Sequence, residues 1–170
     1  MTPPATPEQL AVAQARTSRQ WPAALHCWFG LHNGSPDHKP VVQVVPGFVP
    51  LPIDRVASWW ESMTRTWASW SEEFGYLAAE PAGTTTFHYI SAYIPFAENG
   101  SGELLFLDTR HGRHHGGVGH FAGDAADQCV RLWPSLRSAL DDVVSSLEGQ
   151  RPCRGWIPIV EDGVLDWDLP

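Results

Sequence analysis

Apolar and polar positions alternate between two rhythms along this chain, and the change of rhythm marks its elements. A period near 3.6 appears first. Thr6, Pro7 and Gln9 form a helix-start signal, with a capping side chain, a proline in the first turn and a glutamine three residues on. This first helix is expected to run to about Arg19, its alanine-rich face lying on the surface of the fold. A second helix from Pro22 carries Leu25, Trp28, Phe29 and His32 on one stripe and ends at Asn33-Gly34, residues that tolerate the left-handed closing conformation. The clearest helix follows Asp54, read as its N-cap. Val56, Trp59, Trp60, Met63, Trp67, Trp70 and Phe74 recur at helical steps, which predicts packing of several indoles across a sheet face, with Trp59 or Trp70 at a rim.

The middle of the chain changes to short apolar runs between glycine-rich turns. Ile90 to Phe96 is aromatic and β-branched, Glu98-Asn99-Gly100-Ser101-Gly102 is a reversal, and Glu103 to Thr109 is nearly continuous in Leu and Phe. A buried helical turn has the same pattern as this last run, but its length and flanking turns favour a strand covered on both faces. Val118 to Phe121 and Gln128 to Leu132 predict two further strands around an acidic turn at Asp124 to Asp127. Val41 to Val45, among prolines, predicts an extended edge segment. Ser135 then caps a helix with Leu136, Leu140, Val143, Val144 and Leu147 on one face, stopped by Gly149. A terminal hairpin, Trp156 to Val160 and Val164 to Trp167, turns at Asp162-Gly163. Strands gathered in the middle with helices before and after predict an α+β fold: one domain over residues 6–170, with a mixed, mainly antiparallel sheet and helices packed around it, behind a disordered tail at residues 1–5.

At the central hairpin a family resemblance emerges. The segment YIPFAENGSGELLFLDTRHG, followed by Gly117-Val118-Gly119, resembles the signature of the SMI1/KNR4 (SUKH) superfamily. Leu31-His32-Asn33-Gly34 is similar to its helix-ending "LHDG" element, and Val49 to Val56 with Trp59-Trp60 to its "LLPL" segment. Trp133-Pro134-Ser135-Leu136 is similar to "PSF…WL", and Gly163 to Trp167 to the "DG.LDW" ending. Together these span roughly residues 20 to 168. The resemblance implies a small mixed sheet with packed helices. It also implies a role of the kind known for the superfamily: bacterial immunity proteins that neutralise polymorphic toxins, or a fungal regulator of cell-wall synthesis.

Composition narrows the classes further. At 170 residues, folding buries roughly 70% of the extended chain's surface, enough for a core without covalent staples. Cys27, Cys129 and Cys153 lack metal-ligand spacing, and an odd count argues against an oxidised framework, so a reducing cytoplasm is expected. No signal peptide or bilayer-spanning run is visible. The net charge of −8, from 19 acidic against 11 basic residues, disfavours direct nucleic-acid binding and favours basic protein surfaces.

Catalytic patterns are weak. Gly100-Ser101-Gly102 lacks the spacing and the strand-to-helix context of a nucleophile elbow, and Gly112 to Gly119 lacks the lysine and helix of a phosphate loop. His111, His114, His115 and His120 offer four imidazoles within ten residues, but the surrounding glycines read as a flexible turn, whereas closed metal sites draw on residues fixed by supporting partners. The expected function is therefore a non-enzymatic protein-binding module without cofactor or metal, which the family resemblance makes concretely an immunity protein facing a basic toxin domain. The partner-binding candidates are Glu98, Glu103, Asp108, Asp124 and Asp127. An intracellular regulatory scaffold and a metal-dependent enzyme at the histidine turn are the alternatives.

Overall fold

The computed structural model describes residues 2–35, 41–123, 130–149 and 151–169. Its elements in chain order are α1 (Pro7–Thr17), α2 (Ala23–Leu31), β1 (Val49–Pro50), α3 (Ile53–Thr66), α4 (Ala68–Glu73), β2 (Tyr93–Glu98), β3 (Leu104–Asp108), β4 (Val118–Phe121), β5 (Val130–Trp133), α5 (Leu136–Leu147), β6 (Ile157–Glu161) and β7 (Val164–Asp168), with a 3-10 turn at Gly75–Ala78. The capping box of Thr6 and Gln9 opens α1, as its sequence predicts. Ala13 and Thr17 are buried where α1 packs beside α3, and Arg16 grips Glu61 through two nitrogens at 2.9 and 3.0 Å. Within the stretch expected to be a disordered tail, the described residues 2–5 make backbone hydrogen bonds to the end of α2 and the segment after it. The Ala5 amide donates to Phe29 O at 2.9 Å and the Asn33 amide to Pro3 O at 3.0 Å, which lays residues 2–5 along the end of α2 with Ala5 buried.

The motif Leu31-His32-Asn33-Gly34 does more than end α2. Asn33 Oδ1 accepts the Ile53 amide at 2.7 Å, so a side chain twenty residues upstream satisfies the first exposed N–H of α3. That replaces the expected Asp54 cap: Pro52 is the N-cap residue, its side chain makes no capping bond, and Asp54 lies inside the first turn. Gly34 is required beside it, because its φ is +73° and a Cβ there would lie 2.4 Å from Pro52 N.

The five-stranded sheet has the order β1-β2-β3-β4-β5, antiparallel throughout. β3 is buried along its whole length, which explains its unbroken apolar sequence. Leu105 and Leu107 face a cluster with Leu25, Trp28, Phe29, Ile94, Phe96 and the buried face of α5. Leu104 and Phe106 face a second cluster with Met63, Tyr89, Tyr93 and Phe121, roofed by Trp59, Trp60 and Trp67. The indoles therefore cover the sheet as expected, with one correction. The single predicted helix breaks at Trp67 (φ −99°, ψ 13°), whose ring meets Phe121 edge-on at 5.8 Å, and resumes as α4.

Other boundaries shift for local reasons. The edge strand is Val49–Pro50 and not Val41 to Val45, because Pro46-Gly47 reverses the chain and the Phe48 amide donates back to Val45 O at 2.9 Å. On α5 the buried face is Leu136, Ala139, Asp142, Val143 and Ser146, leaving Val144 and Leu147 half exposed. The helix is rotated from the predicted stripe because Asp142 takes the Trp133 indole N–H at 3.0 Å. The terminal hairpin β6-β7 forms as predicted, with positive φ at both Asp162 (+51°) and Gly163 (+76°), the signature of a tight primed turn. It is a separate two-stranded sheet, tied to the core by buried Trp167, whose indole donates to Gln43 O at 2.8 Å.

Candidate functional site

The reversal between β2 and β3 is built by Asn99. Its Oδ1 accepts the Ser101 amide at 2.9 Å and the Glu103 amide at 3.1 Å, while its Nδ2 donates to Glu103 Oε2 at 2.6 Å. One flanking carboxylate, Glu103, is thereby held. Glu103 also meets His120 Nε2 at 3.2 Å, and Glu98 pairs with Arg55 at 2.9 Å. Each keeps part of its surface in water, with side-chain exposures of 33% for Glu103 and 15% for Glu98.

Two shallow grooves flank this end of the sheet. One, of about 220 Å³, is lined by Val49, Pro50, Arg55, Glu98 and Asn99 among others. The other, of about 180 Å³, is lined by Phe48, His120, Leu132, Trp133, Arg154 and Trp156 among others. His120 sits edge-on to Phe48 at 5.4 Å, and the Arg154 guanidinium lies over Trp133 at 5.1 Å. The result is a rim of fixed charge around apolar floors, the anatomy of a protein contact surface.

Asp108, the third of the acidic candidates, lies apart from this surface. It is buried, and both of its oxygens receive Arg110, with Nη2 at 2.7 Å and Nε at 3.0 and 3.3 Å. Arg110 in turn donates to Leu77 O at 3.0 Å, Thr84 O at 2.7 Å and Tyr93 Oη at 3.2 Å. The pair pins the 75–88 segment to the sheet and offers nothing to a partner. Asp124 and Asp127 lie outside the described residues, as do Cys129 and the acidic turn.

The four imidazoles diverge. His115 Nδ1 contacts Arg110 O at 3.0 Å, His114 contacts Arg131, His111 is exposed, and His120 serves the hairpin end. Loss of hydration and the neighbouring guanidinium groups of Arg131 and Arg113 hold His114 below the usual imidazole range. Among the described residues, no three His, Cys, Asp or Glu side chains come together as metal ligands. Cys27 is exposed, whereas Cys153 is buried and its thiol is pushed up to about 12, first by burial and then by Asp142. No described helix is long and apolar enough to cross a membrane.

The residues missed from sequence are Phe48, Arg154 and Trp156, which sit in loops of no fixed period, and Arg110. For Arg110 a signal existed: Asp108 and Arg110 are two apart on an extended segment and so share a face.

The model of the SMI1 / KNR4 family (SUKH-1) matches residues 4–142. The chain belongs to the SMI1/KNR4 (SUKH) family. The match covers the Asn33 element, the whole five-stranded sheet and the start of α5; it begins before the resemblance read from sequence and ends before the β6-β7 hairpin. No curated protein matches the chain.

Proposed function

We propose that this SUKH protein is a non-enzymatic protein-binding module, concretely an immunity protein that neutralises a toxin by covering the toxin's basic substrate-binding face. The observation that carries the reading is the hairpin end, where Asn99 and His120 hold Glu103 and Arg55 holds Glu98 beside two apolar grooves. Preset carboxylates lose little freedom on binding, so their attraction for a basic surface is retained. Family membership and the net charge of −8 support the same reading. Fold alone does not fix function, so the test is biological. Candidate toxin domains, sought among the genes adjoining this chain's own, are expressed in a bacterial host with and without the chain. Growth rescued by the chain, and lost again with Glu98→Lys/Glu103→Lys, is the expected result. Toxicity unchanged by a folded, co-expressed chain overturns the proposal.

A further inference from the structure

After the break at Trp67, the aromatic stretch carries rings into solvent. Trp70 is 47% exposed, Tyr76 60% and Phe87 52%. Trp70 stacks on Phe74 with centroids 5.8 Å apart and planes 25° apart, and meets Trp67 edge-on at 6.0 Å. Phe74 continues the row to the ring of His88 at 6.3 Å, next in sequence to Phe87. The row is rooted in the core through Trp67 and Phe121, and Phe121 is the register partner of Leu104, the residue after Glu103. Its root therefore lies at the same end of the sheet as the acidic hairpin turn.

Single exposed apolar residues are ordinary, but an indole stacked in place is a rigid surface that forfeits little entropy when covered. Within this stretch of chain the charge has one sign. Glu72, Glu73 and Glu80 are all exposed, and the sequence contains no Lys or Arg between Arg65 and Arg110. A second copy of the chain would set these carboxylates against each other. A segment bearing Arg or Lys beside apolar side chains satisfies both features at once, through cation–π contact with Trp70 and ion pairs with Glu72 and Glu73.

We propose that the Trp70–Phe74 face of α4 is a docking surface for a basic segment of a protein partner. The proposal rests on the protein-binding reading above and adds to it a contact surface with its own chemistry. To test it, a display library of random twelve-residue peptides is selected on the full-length chain. Recovered peptides are then titrated against wild type, Trp70→Ala and Glu72→Gln/Glu73→Gln, with thermal melts confirming that each variant folds. The expected peptides are enriched in Arg and Lys, and they weaken about tenfold or more on Trp70→Ala and severalfold on the glutamine pair. Peptides without basic enrichment, or ones that bind Trp70→Ala as tightly as wild type, overturn this face while leaving the toxin-rescue assay to judge the hairpin end. Failure to enrich any peptide beyond an unrelated acidic domain also overturns it. So does a neutral glucan oligosaccharide that perturbs Trp70 fluorescence when basic peptides do not.

Discussion

Replacing Arg110 with alanine removes the side chain that locks the 75–88 segment onto the sheet, and the structure sets the size of the effect. The guanidinium is 1% exposed and its Asp108 partner 7%, so neither charge is compensated by water. In Arg110→Ala the carboxylate keeps only two amides, of Gly83 at 2.9 Å and of residue 110 itself at 3.1 Å. The carbonyls of Leu77 and Thr84 each lose a donor as well. Stripping one member from a buried ion pair costs about 3–5 kcal/mol, against a total stability of about 5–15 kcal/mol for a domain. For a chain of this length that corresponds to a fall in Tm of roughly 6–20 °C. Urea titration followed by tryptophan fluorescence measures it. The double variant Asp108→Leu/Arg110→Met, which removes both charges and keeps the volume, should recover much of the loss. A cost below about 1 kcal/mol for Arg110→Ala, or a double variant as unstable as the single one, would refute the lock and return Asp108 to the surface.

Three further outcomes follow from other residues. A Cβ at Gly119 would lie 2.2 Å from the Phe106 ring, itself stacked on Tyr93 at 3.9 Å, so Gly119→Ala should cost about 1–3 kcal/mol by overpacking in the same urea assay. Trp60 is half-buried and donates its indole N–H to Ser91 O at 2.9 Å; Trp60→Phe, which keeps most of the packing, should cost about 1 kcal/mol and Trp60→Ala about 2–3 kcal/mol. Burial lowers His32 to about 4, so between about 6.5 and 4 the unfolded chain binds a proton that the folded chain refuses. Stability therefore falls as pH drops through that window, and His32→Asn should flatten this part of the pH profile measured by thermal melts.

The legible parts of the sequence were those where local chemistry and tertiary structure agree. Thr6 and Gln9 cap the helix they precede, Asp162-Gly163 makes the turn it announces, and the Leu-rich run of β3 is buried on both faces. The misread parts depend on partners far along the chain. Asp54 has the residue type of a cap, yet Asn33 supplies the bond from twenty residues upstream, and no helix-start pattern encodes that. Helical spacing continues unbroken from Val56 to Phe74, but Trp67 is recruited by Phe121, and the period carries no trace of the break. At the candidate site, the proximity of Glu98 and Glu103 was legible because a reversal brings them together. The burial of Asp108 was not, because it depends on Arg110 and on a loop of no regular pattern.

The central claim is that the fixed carboxylates at the β2-β3 end bind a basic protein. Its most direct test is the affinity of the full chain for whichever purified toxin domain it rescues in the growth assay, measured by calorimetry at about 0.05 M and about 0.5 M salt, where the Debye length falls from roughly 14 to 4 Å. The account predicts binding that weakens at least about tenfold with salt and loses most of that salt dependence in Glu98→Gln/Glu103→Gln. Equal affinity at both salts, or a glutamine pair that binds as tightly as wild type, would contradict it.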